Sequence, residues 1–225
     1  MNRKDLTNSN AFRRFAAERQ GGPGVPLAMM LLTLLMLSVQ AAIAAEEVGR
    51  GPVEDNIWVY HLTPEARGGR AYKLVYVVPV PIDIYWGFKT DFDNDFLTRN
   101  KYIAEHRFIF RNANSVVTGN RYTSGPDGLY RWQTTVMAER RRLEYVLLNP
   151  AEMKQKFHYG CIQLAAVNEG TLVTQVAYFD FFGVSLWAAY PWAGGMKDFL
   201  VYTARWEQDM VVALKDRYST AGHLP

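Results

Sequence analysis

The chain has 225 residues, of which 49% are apolar, 14% aromatic and 21% charged, a balance typical of globular proteins and not of disordered chains. Its formal net charge of +3 comes from residues 1–44, and the remainder carries equal numbers of basic and acidic residues. Without a basic excess, the main part of the chain has no electrostatic basis for binding nucleic acid.

Residues 1–44 have the three parts of a secretory signal. Basic residues come first, an apolar run extends from Leu27 to Val39, and Ala42-Ile43-Ala44 supplies an A-x-A cleavage site. We therefore expect cleavage before Ala45 and a periplasmic or secreted protein. The alternative is an uncleaved membrane anchor, because the apolar stretch is close to the length that spans a bilayer.

Residues 45–70 are rich in glycine, proline and charge, around an apolar patch at Ile57-Trp58-Val59-Tyr60, and are predicted to form a flexible N-terminal segment. The folded domain is expected over residues 71–220. Its first strand, over residues 73–78, is rich in β-branched side chains. Pro79 ends this strand, because proline has no amide hydrogen for a sheet ladder.

Residues 82–96 place apolar side chains at helical spacings that a polar run, Asp91 to Asp95, interrupts, so we predict two short helices. Turn signals then separate six further predicted strands, over residues 102–111, 115–123, 129–138, 142–149, 157–167 and 170–181. The short turns favour antiparallel neighbours. Residues 196–217 repeat apolar side chains every three or four positions, which predicts a long amphipathic helix packed on the sheet.

Alternation within residues 102–111 predicts which face of that strand is buried. The inward face is expected to carry the even-numbered side chains, Tyr102, Ala104, His106, Phe108 and Phe110. The same period places Trp132 and Tyr145 on one face of their own strands. The inner surface of the sheet is therefore predicted to be aromatic.

The order of these elements resembles the START-like superfamily, also called the SRPBCC or birch-pollen-allergen fold, over about residues 72–218. The resemblance implies an α+β helix-grip fold, in which a curved seven-stranded antiparallel sheet wraps around a long C-terminal helix, with two short helices after strand one. It also implies a cavity between sheet and helix, which members of the superfamily use for lipids and other apolar molecules. The superfamily has no common catalytic residue, so none is assigned here, and no cofactor or metal is expected.

The predicted ligand-binding residues are inward side chains of the strands and two aromatic residues of the C-terminal helix. They are Tyr102, His106, Phe108, Phe110, Trp132, Tyr145, Phe199 and Trp206. An imidazole at position 106 could exchange a hydrogen bond with the polar head of a ligand, or be a core histidine bonded to a neighbour. His158 has the same two interpretations.

Three functions agree with these observations. The first is binding or transport of a lipid or other apolar molecule in the cell envelope, with peripheral contact with the membrane as a further possibility. The second is a small cyclase or hydrolase in which His106, with Tyr102 or Tyr145, acts as acid or base. The third is an envelope interaction domain whose core is filled. A cavity of several hundred Å³ would favour a ligand site over the third function.

Four other features have simpler interpretations. Asp91 to Asp95 has only half the pattern of a calcium loop, so capping of the short helices is favoured. Arg140-Arg141-Arg142 is expected at a solvated hairpin tip, with a contact to anionic lipid as the alternative. Cys161 is the only cysteine, which excludes an internal disulfide and indicates a small buried residue. The aromatic link from Trp187 to Gly195 suits a cavity rim, a membrane interface or plain core closure.

Overall fold

The computed structural model describes residues 56–66, 68–123, 125–182 and 195–219. The predicted leader, residues 1–44, lies outside these ranges, and so does the aromatic link from Trp187 to Gly194. Within the described ranges no helix is long and apolar enough to cross a membrane.

Eight strands, two α-helices and two short 3₁₀ turns follow one another along these residues. The strands are β1 (Ile57–Leu62), β2 (Arg70–Val78), β3 (Ile103–Asn112), β4 (Ser115–Tyr122), β5 (Tyr130–Met137), β6 (Arg142–Leu147), β7 (Gln155–Val167) and β8 (Gly170–Phe181). The helices are α1 (Ile82–Thr90) and α2 (Gly195–Ser219), and the 3₁₀ turns cover Leu97–Arg99 and Ala138–Arg140.

All the strands form one antiparallel sheet in the order β1-β2-β8-β7-β6-β5-β4-β3. From β3 to β8 each strand pairs with its successor along the chain, as the short turns predict. β2 pairs with β8 over its whole length, from Arg70 opposite Phe179 to Val78 opposite Thr171. β2, which precedes α1 in the chain, therefore pairs with the last strand, β8. β1 and β3 are the two edge strands of the sheet.

The sheet has one strand more than the seven predicted, because β1 lies in the segment predicted to be flexible. It pairs with β2 from Ile57 opposite Tyr76 to Leu62 opposite Ala71. Ile57 is only 1% exposed and Val59 is also buried, so alternate side chains of β1 reach the core. The alternation of this short patch was hidden by the glycine- and proline-rich sequence around it.

The two predicted helices after β2 are a nine-residue α-helix and a single 3₁₀ turn. The predicted capping is present: the Oδ1 of Asn94 accepts a hydrogen bond from the amide of Leu97 at 3.0 Å. Asp91 is used elsewhere, since its Oδ2 accepts from the Tyr218 hydroxyl at 2.8 Å and from Arg217 at 3.1 Å. The polar run thus lies between α1 and the 3₁₀ turn, and Asn94 bonds the first amide of that turn. Asp91 links the run to the C-terminal end of α2.

The long C-terminal helix packs on one face of the sheet and against α1. Its buried stripe includes Leu200, Ala204, Glu207 and Val211, which recur at intervals of three and four residues. Together with α1, β1, β2 and β8 this stripe encloses the main apolar core. The predicted helix over 196–217 agrees with the observed one to within two residues at each end.

The prediction of a common inward face on β3 is wrong, because two β-bulges shift its phase. Phe108 lies opposite Thr118 and Phe110 lies opposite Val117, which are successive residues of β4 and so point to opposite faces. Phe108 is 38% exposed and Phe110 is 51% exposed. The other bulge, between positions 103 and 105, brings Ile103 and His106 onto one face.

The arginine run lies in the turn between β5 and β6, as predicted, but its middle residue is not a free surface cation. Arg141 adopts a left-handed backbone conformation with φ 50°. Its guanidinium pairs with Asp83 and lies 5.4 Å from the centre of the Trp86 ring, so it ties the hairpin to α1. Arg142 pairs with Glu144 on the same strand at 2.9 Å.

Candidate functional site

A cavity of about 290 Å³ lies between the sheet and the two helices. Its sheet wall consists of side chains that share one face of the sheet, since they recur at alternate positions of β4 to β8. Among them are Thr118, Asn120, Tyr122, Trp132, Thr134, Tyr145, His158, Ile162, Gln175 and Ala177. The opposite wall comes from α2, and α1 with the 91–100 segment closes one end.

The structure brings five of the eight predicted ligand-binding residues to this cavity. They are His106, Trp132, Tyr145, Phe199 and Trp206. Tyr102 lies behind the wall, where its ring packs 5.1 Å from the ring centres of both Phe199 and Tyr202. Phe110 is outside the cavity because the bulge after Phe108 reverses the phase of β3. Phe108 is on the same face as His106 and Thr118, but it is 38% exposed and does not line the cavity.

Tyr145 and Trp132 form an aromatic corner whose shape depends on Gly160. The two rings meet edge to face with centres 5.8 Å apart, and the Tyr145 hydroxyl donates to the carbonyl of Val176 at 3.2 Å. Gly160 lies directly opposite Tyr145, and a Cβ there would be 2.5 Å from the Tyr145 hydroxyl. Because Gly160 has no side chain, the Tyr145 hydroxyl can occupy this position. Burial raises the pKa of Tyr145.

His158 is a buried histidine at the floor of the cavity. Its Nδ1 is 3.1 Å from the Oε1 of Gln155, and its ring packs edge to face on Trp132 with centres 4.8 Å apart. Burial lowers the pKa of His158 to about 3, because the charged imidazolium would lose its hydration. At neutral pH it is uncharged, which agrees with the core interpretation of this residue.

His106 has both ring nitrogens occupied. Nε2 is 2.9 Å from the carbonyl oxygen of Phe92 and donates to it, so Nδ1 of the same tautomer is an acceptor. Nδ1 is 2.7 Å from the side-chain amide of Asn120, which donates to it when the amide presents its nitrogen to the ring. The ring thereby joins the segment after α1 to the sheet. This arrangement agrees with the interpretation of His106 as a core histidine bonded to its neighbours.

Cys161 lies on the face of the sheet opposite to the cavity. It packs beside Leu62, Ala71 and Val176, and it is free. Burial raises the pKa of its thiol, so the nucleophilic thiolate is disfavoured. The predicted role as a small packing residue agrees with this position.

A buried group of polar side chains beside the cavity was not predicted from the sequence. Glu207 of α2 is 6% exposed and its Oε2 accepts hydrogen bonds from the hydroxyls of Tyr76 and Tyr85. Its Oε1 accepts from the Nζ of Lys89 at 2.7 Å. The two tyrosine hydroxyls are 2.9 Å apart. We call Tyr76, Tyr85, Lys89 and Glu207 the polar cluster.

The polar cluster holds one negative and one positive charge. Burial acts to raise the pKa of Glu207, but Lys89 and the two phenol hydrogen bonds outweigh burial and bring the pKa below its usual range. The pKa values of Tyr76 and Tyr85 are raised well above 10 by burial and then by the charge of Glu207. The carboxylate is therefore ionised, and both phenols remain neutral donors.

One sequence signal could have indicated the polar cluster. Glu207 is seven positions after Leu200 and four before Val211, so it is in phase with the buried stripe of α2. A carboxylate on such a stripe needs a buried partner, because an isolated buried charge is costly. Lys89, at the end of the first predicted helix, is such a cation, but nothing in the sequence specifies that these two residues meet.

Solved structures with the same fold have low sequence identity to this chain. The human StarD13 lipid transfer and protein localization domain is 10% identical, with a TM-score of 0.53, covering 77% of this chain and 95% of that domain. A protein from Thermus thermophilus is 11% identical, with a TM-score of 0.50, covering 67% of this chain and 98% of its own. The fold is the START-like helix-grip fold.

A third solved structure, the ZhuI aromatase/cyclase from a Streptomyces species, is 13% identical over 69% of this chain and 99% of its own, with a TM-score of 0.49. No protein-family model and no curated protein matches the sequence. The START-like resemblance of the sequence is thus confirmed for the fold, and identities this low carry no residue role from one protein to another.

Proposed function

We propose that this domain binds a lipid or other apolar small molecule in the cavity between the sheet and α2. The observation that carries the proposal is the cavity itself, about 290 Å³ with aromatic side chains on both walls. This volume is close to the lower limit for small-molecule sites, so the ligand or the part it inserts is small. The lipid transfer named for the StarD13 domain, which has the same fold, supports the same class of ligand.

The cavity favours this function over an interaction domain with a filled core. Protein interiors are close-packed, and atoms that line an empty space lose their dispersion contacts. An apolar molecule in this cavity would restore dispersion contacts to the rings of Trp132, Phe199 and Trp206 that line it.

The residues suggested for acid and base chemistry do not form a joint site. Both nitrogens of His106 are bonded, and Tyr102 lies behind the wall formed by Phe199. Burial raises the pKa of Tyr145, which makes the phenol a poorer acid. Binding is therefore the function that this arrangement supports best.

We also propose that the protein is exported and that its ligand is taken up in the cell envelope, where peripheral contact with the membrane would serve exchange. The support is the sequence of residues 1–44, with its basic start, apolar run and A-x-A site. N-terminal sequencing of the protein from separated cell fractions tests this proposal. A mature protein that begins at Ala45 and lies outside the inner membrane is expected, and an intact leader in the cytoplasm would contradict it.

Native mass spectrometry tests ligand binding. The full chain is expressed with its leader and purified without detergent, and we expect a bound apolar molecule that organic extraction identifies. Ala177→Leu fills part of the cavity and should lower ligand occupancy, whereas Ala166→Leu on the exposed part of β7 is the matched control. Protein that carries no ligand and does not enhance the fluorescence of N-phenyl-1-naphthylamine would refute the proposal.

A further inference from the structure

One turn of α2 presents polar atoms to the cavity that have no hydrogen-bond partner. The Oγ1 of Thr203 and the Nε1 of Trp206 are shut off from solvent, and neither has a partner among the residues that the structure describes. Trp206 is 9% exposed, and both side chains line the cavity. Positions 203 and 206 are three apart, so the two side chains are neighbours on the helix surface.

Lys89 adds a third donor beside this turn. Its ammonium has three N–H groups, and Glu207 Oε1 accepts one of them at 2.7 Å. Glu207 is one turn of the helix beyond Thr203 and adjacent to Trp206. The donors of Thr203, Trp206 and Lys89 therefore line the same part of the cavity, next to Glu207.

The hydrogen-bonding character of this wall is one-sided. An indole N–H and an ammonium only donate, and a threonine hydroxyl can donate as well. Glu207 is the strong acceptor nearby, and three donors from the polar cluster already occupy it. A ligand group placed here meets mainly donors, so it must be an acceptor.

The charge of the polar cluster decides whether that acceptor is ionic. Lys89 and Glu207 neutralise each other within the wall. An additional carboxylate or phosphate would lose its hydration without a free counter-charge and would lie close to Glu207. An uncharged acceptor avoids both costs.

We propose that the ligand carries an uncharged carbonyl, as in a ketone, ester or amide, which docks against Thr203, Trp206 and Lys89 while its apolar part fills the aromatic side of the cavity. This inference rests on the proposed ligand-binding function and names the chemical class of the ligand. It predicts that the donors on α2 serve the ligand and not the stability of the empty protein.

The test uses the full chain and three probes of equal chain length, namely 2-decanone, decane and decanoate, each displacing N-phenyl-1-naphthylamine. In the unmodified protein we expect 2-decanone to bind about 2- to 10-fold more tightly than decane, the usual range for one added neutral hydrogen bond. Decanoate should bind more weakly than 2-decanone at pH 7. Thr203→Val and Trp206→Phe should each reduce the ratio of ketone to alkane affinity.

The ratio separates a lost hydrogen bond from a change of shape. Trp206→Phe enlarges the cavity and affects both probes, but only a lost donor changes their relative affinities. The melting temperature of the empty protein should be unchanged or higher for Thr203→Val, because the variant removes a buried donor that has no partner. Asp209→Asn, on the exposed side of α2, is the control and should leave the ratio unchanged.

Three results would overturn the inference. Equal affinities for 2-decanone and decane, a ratio that survives both substitutions, or tighter binding of decanoate would each exclude an uncharged carbonyl at these donors while leaving apolar-ligand binding intact. Failure of the naphthylamine probe and decane to bind at all would instead refute the proposed function.

Discussion

Glu207→Gln should be among the most destabilising substitutions that leave the shape of the domain unchanged. The side chains of Glu207 and Lys89 are only 8% and 14% exposed, so water screens their attraction weakly. Removing one partner of such a pair costs about 3–5 kcal/mol, chiefly because the other charge stays buried without compensation. The glutamine carbonyl can still accept from Tyr76 and Tyr85, which places the expected loss near about 3 kcal/mol.

Urea unfolding followed by tryptophan fluorescence measures this loss as a change in the free energy of unfolding. Asp209→Asn removes a carboxylate from the exposed side of the same helix and should cost less than about 0.5 kcal/mol. The double variant Lys89→Met with Glu207→Gln should recover part of the loss, because no buried charge remains. A loss below about 1 kcal/mol for Glu207→Gln would show that the pair is solvated, and the argument from burial would fail.

Three further substitutions test other parts of the structure. Burial lowers the pKa of His158 from 6.5 to about 3, so the unfolded chain binds a proton that the folded domain excludes, and stability falls by up to about 1.4 kcal/mol per unit as the pH drops below 6.5. His158→Gln should flatten this slope between about pH 6.5 and 4.5 in urea titrations, and an unchanged slope would contradict the assignment. Gly160→Ala should cost about 2–3 kcal/mol, since its Cβ meets the Tyr145 hydroxyl and a backbone carbonyl, whereas Gly119→Ala meets only the flexible Leu129 side chain and should cost less. Phe110→Ser should change the free energy of unfolding by less than about 0.5 kcal/mol and leave naphthylamine binding intact, and a loss above about 1.5 kcal/mol would mean that Phe110 is packed.

The elements that sequence reasoning predicted well are those with long, regular patterns. The α2 helix repeats apolar side chains over more than five turns without a proline, so its period is unmistakable. The order of β3 to β8 follows from short turns between strands, which leave only antiparallel neighbours. Together these two features were enough to indicate the START-like fold.

The errors arose where a local irregularity changed the phase of a pattern. A count of alternate residues assumes a regular strand, and each bulge in β3 adds one residue that reverses the alternation beyond it. Tyr102 and Phe110 were therefore assigned to the same face as His106, from which the two bulges separate them. Phe108 does share the face of His106, but it is 38% exposed and lies outside the cavity. β1 was missed for the opposite reason, since a short regular pattern lay inside a segment of loop-like composition.

The polar cluster was beyond prediction because its members come from distant parts of the chain. Tyr76 and Glu207 are 131 positions apart, and Lys89 and Glu207 are 118 positions apart. Periodicity can indicate that Glu207 is buried, but only the three-dimensional packing of α1, β2 and α2 decides which groups neutralise it. The same holds for the cavity, whose volume depends on how closely α2 approaches the sheet.

The position of α2 after every strand has a consequence for the order in which the protein is made. Within the part of the chain that the structure describes, all eight strands precede α2, so this wall of the cavity is synthesised after the strands of the other wall. β2 can pair with β8 only after β8 has been synthesised. Contacts between residues so far apart in the sequence form slowly compared with local contacts. Until α2 packs on the sheet, the apolar side chains of β2 and β8 that it covers therefore stay exposed to solvent.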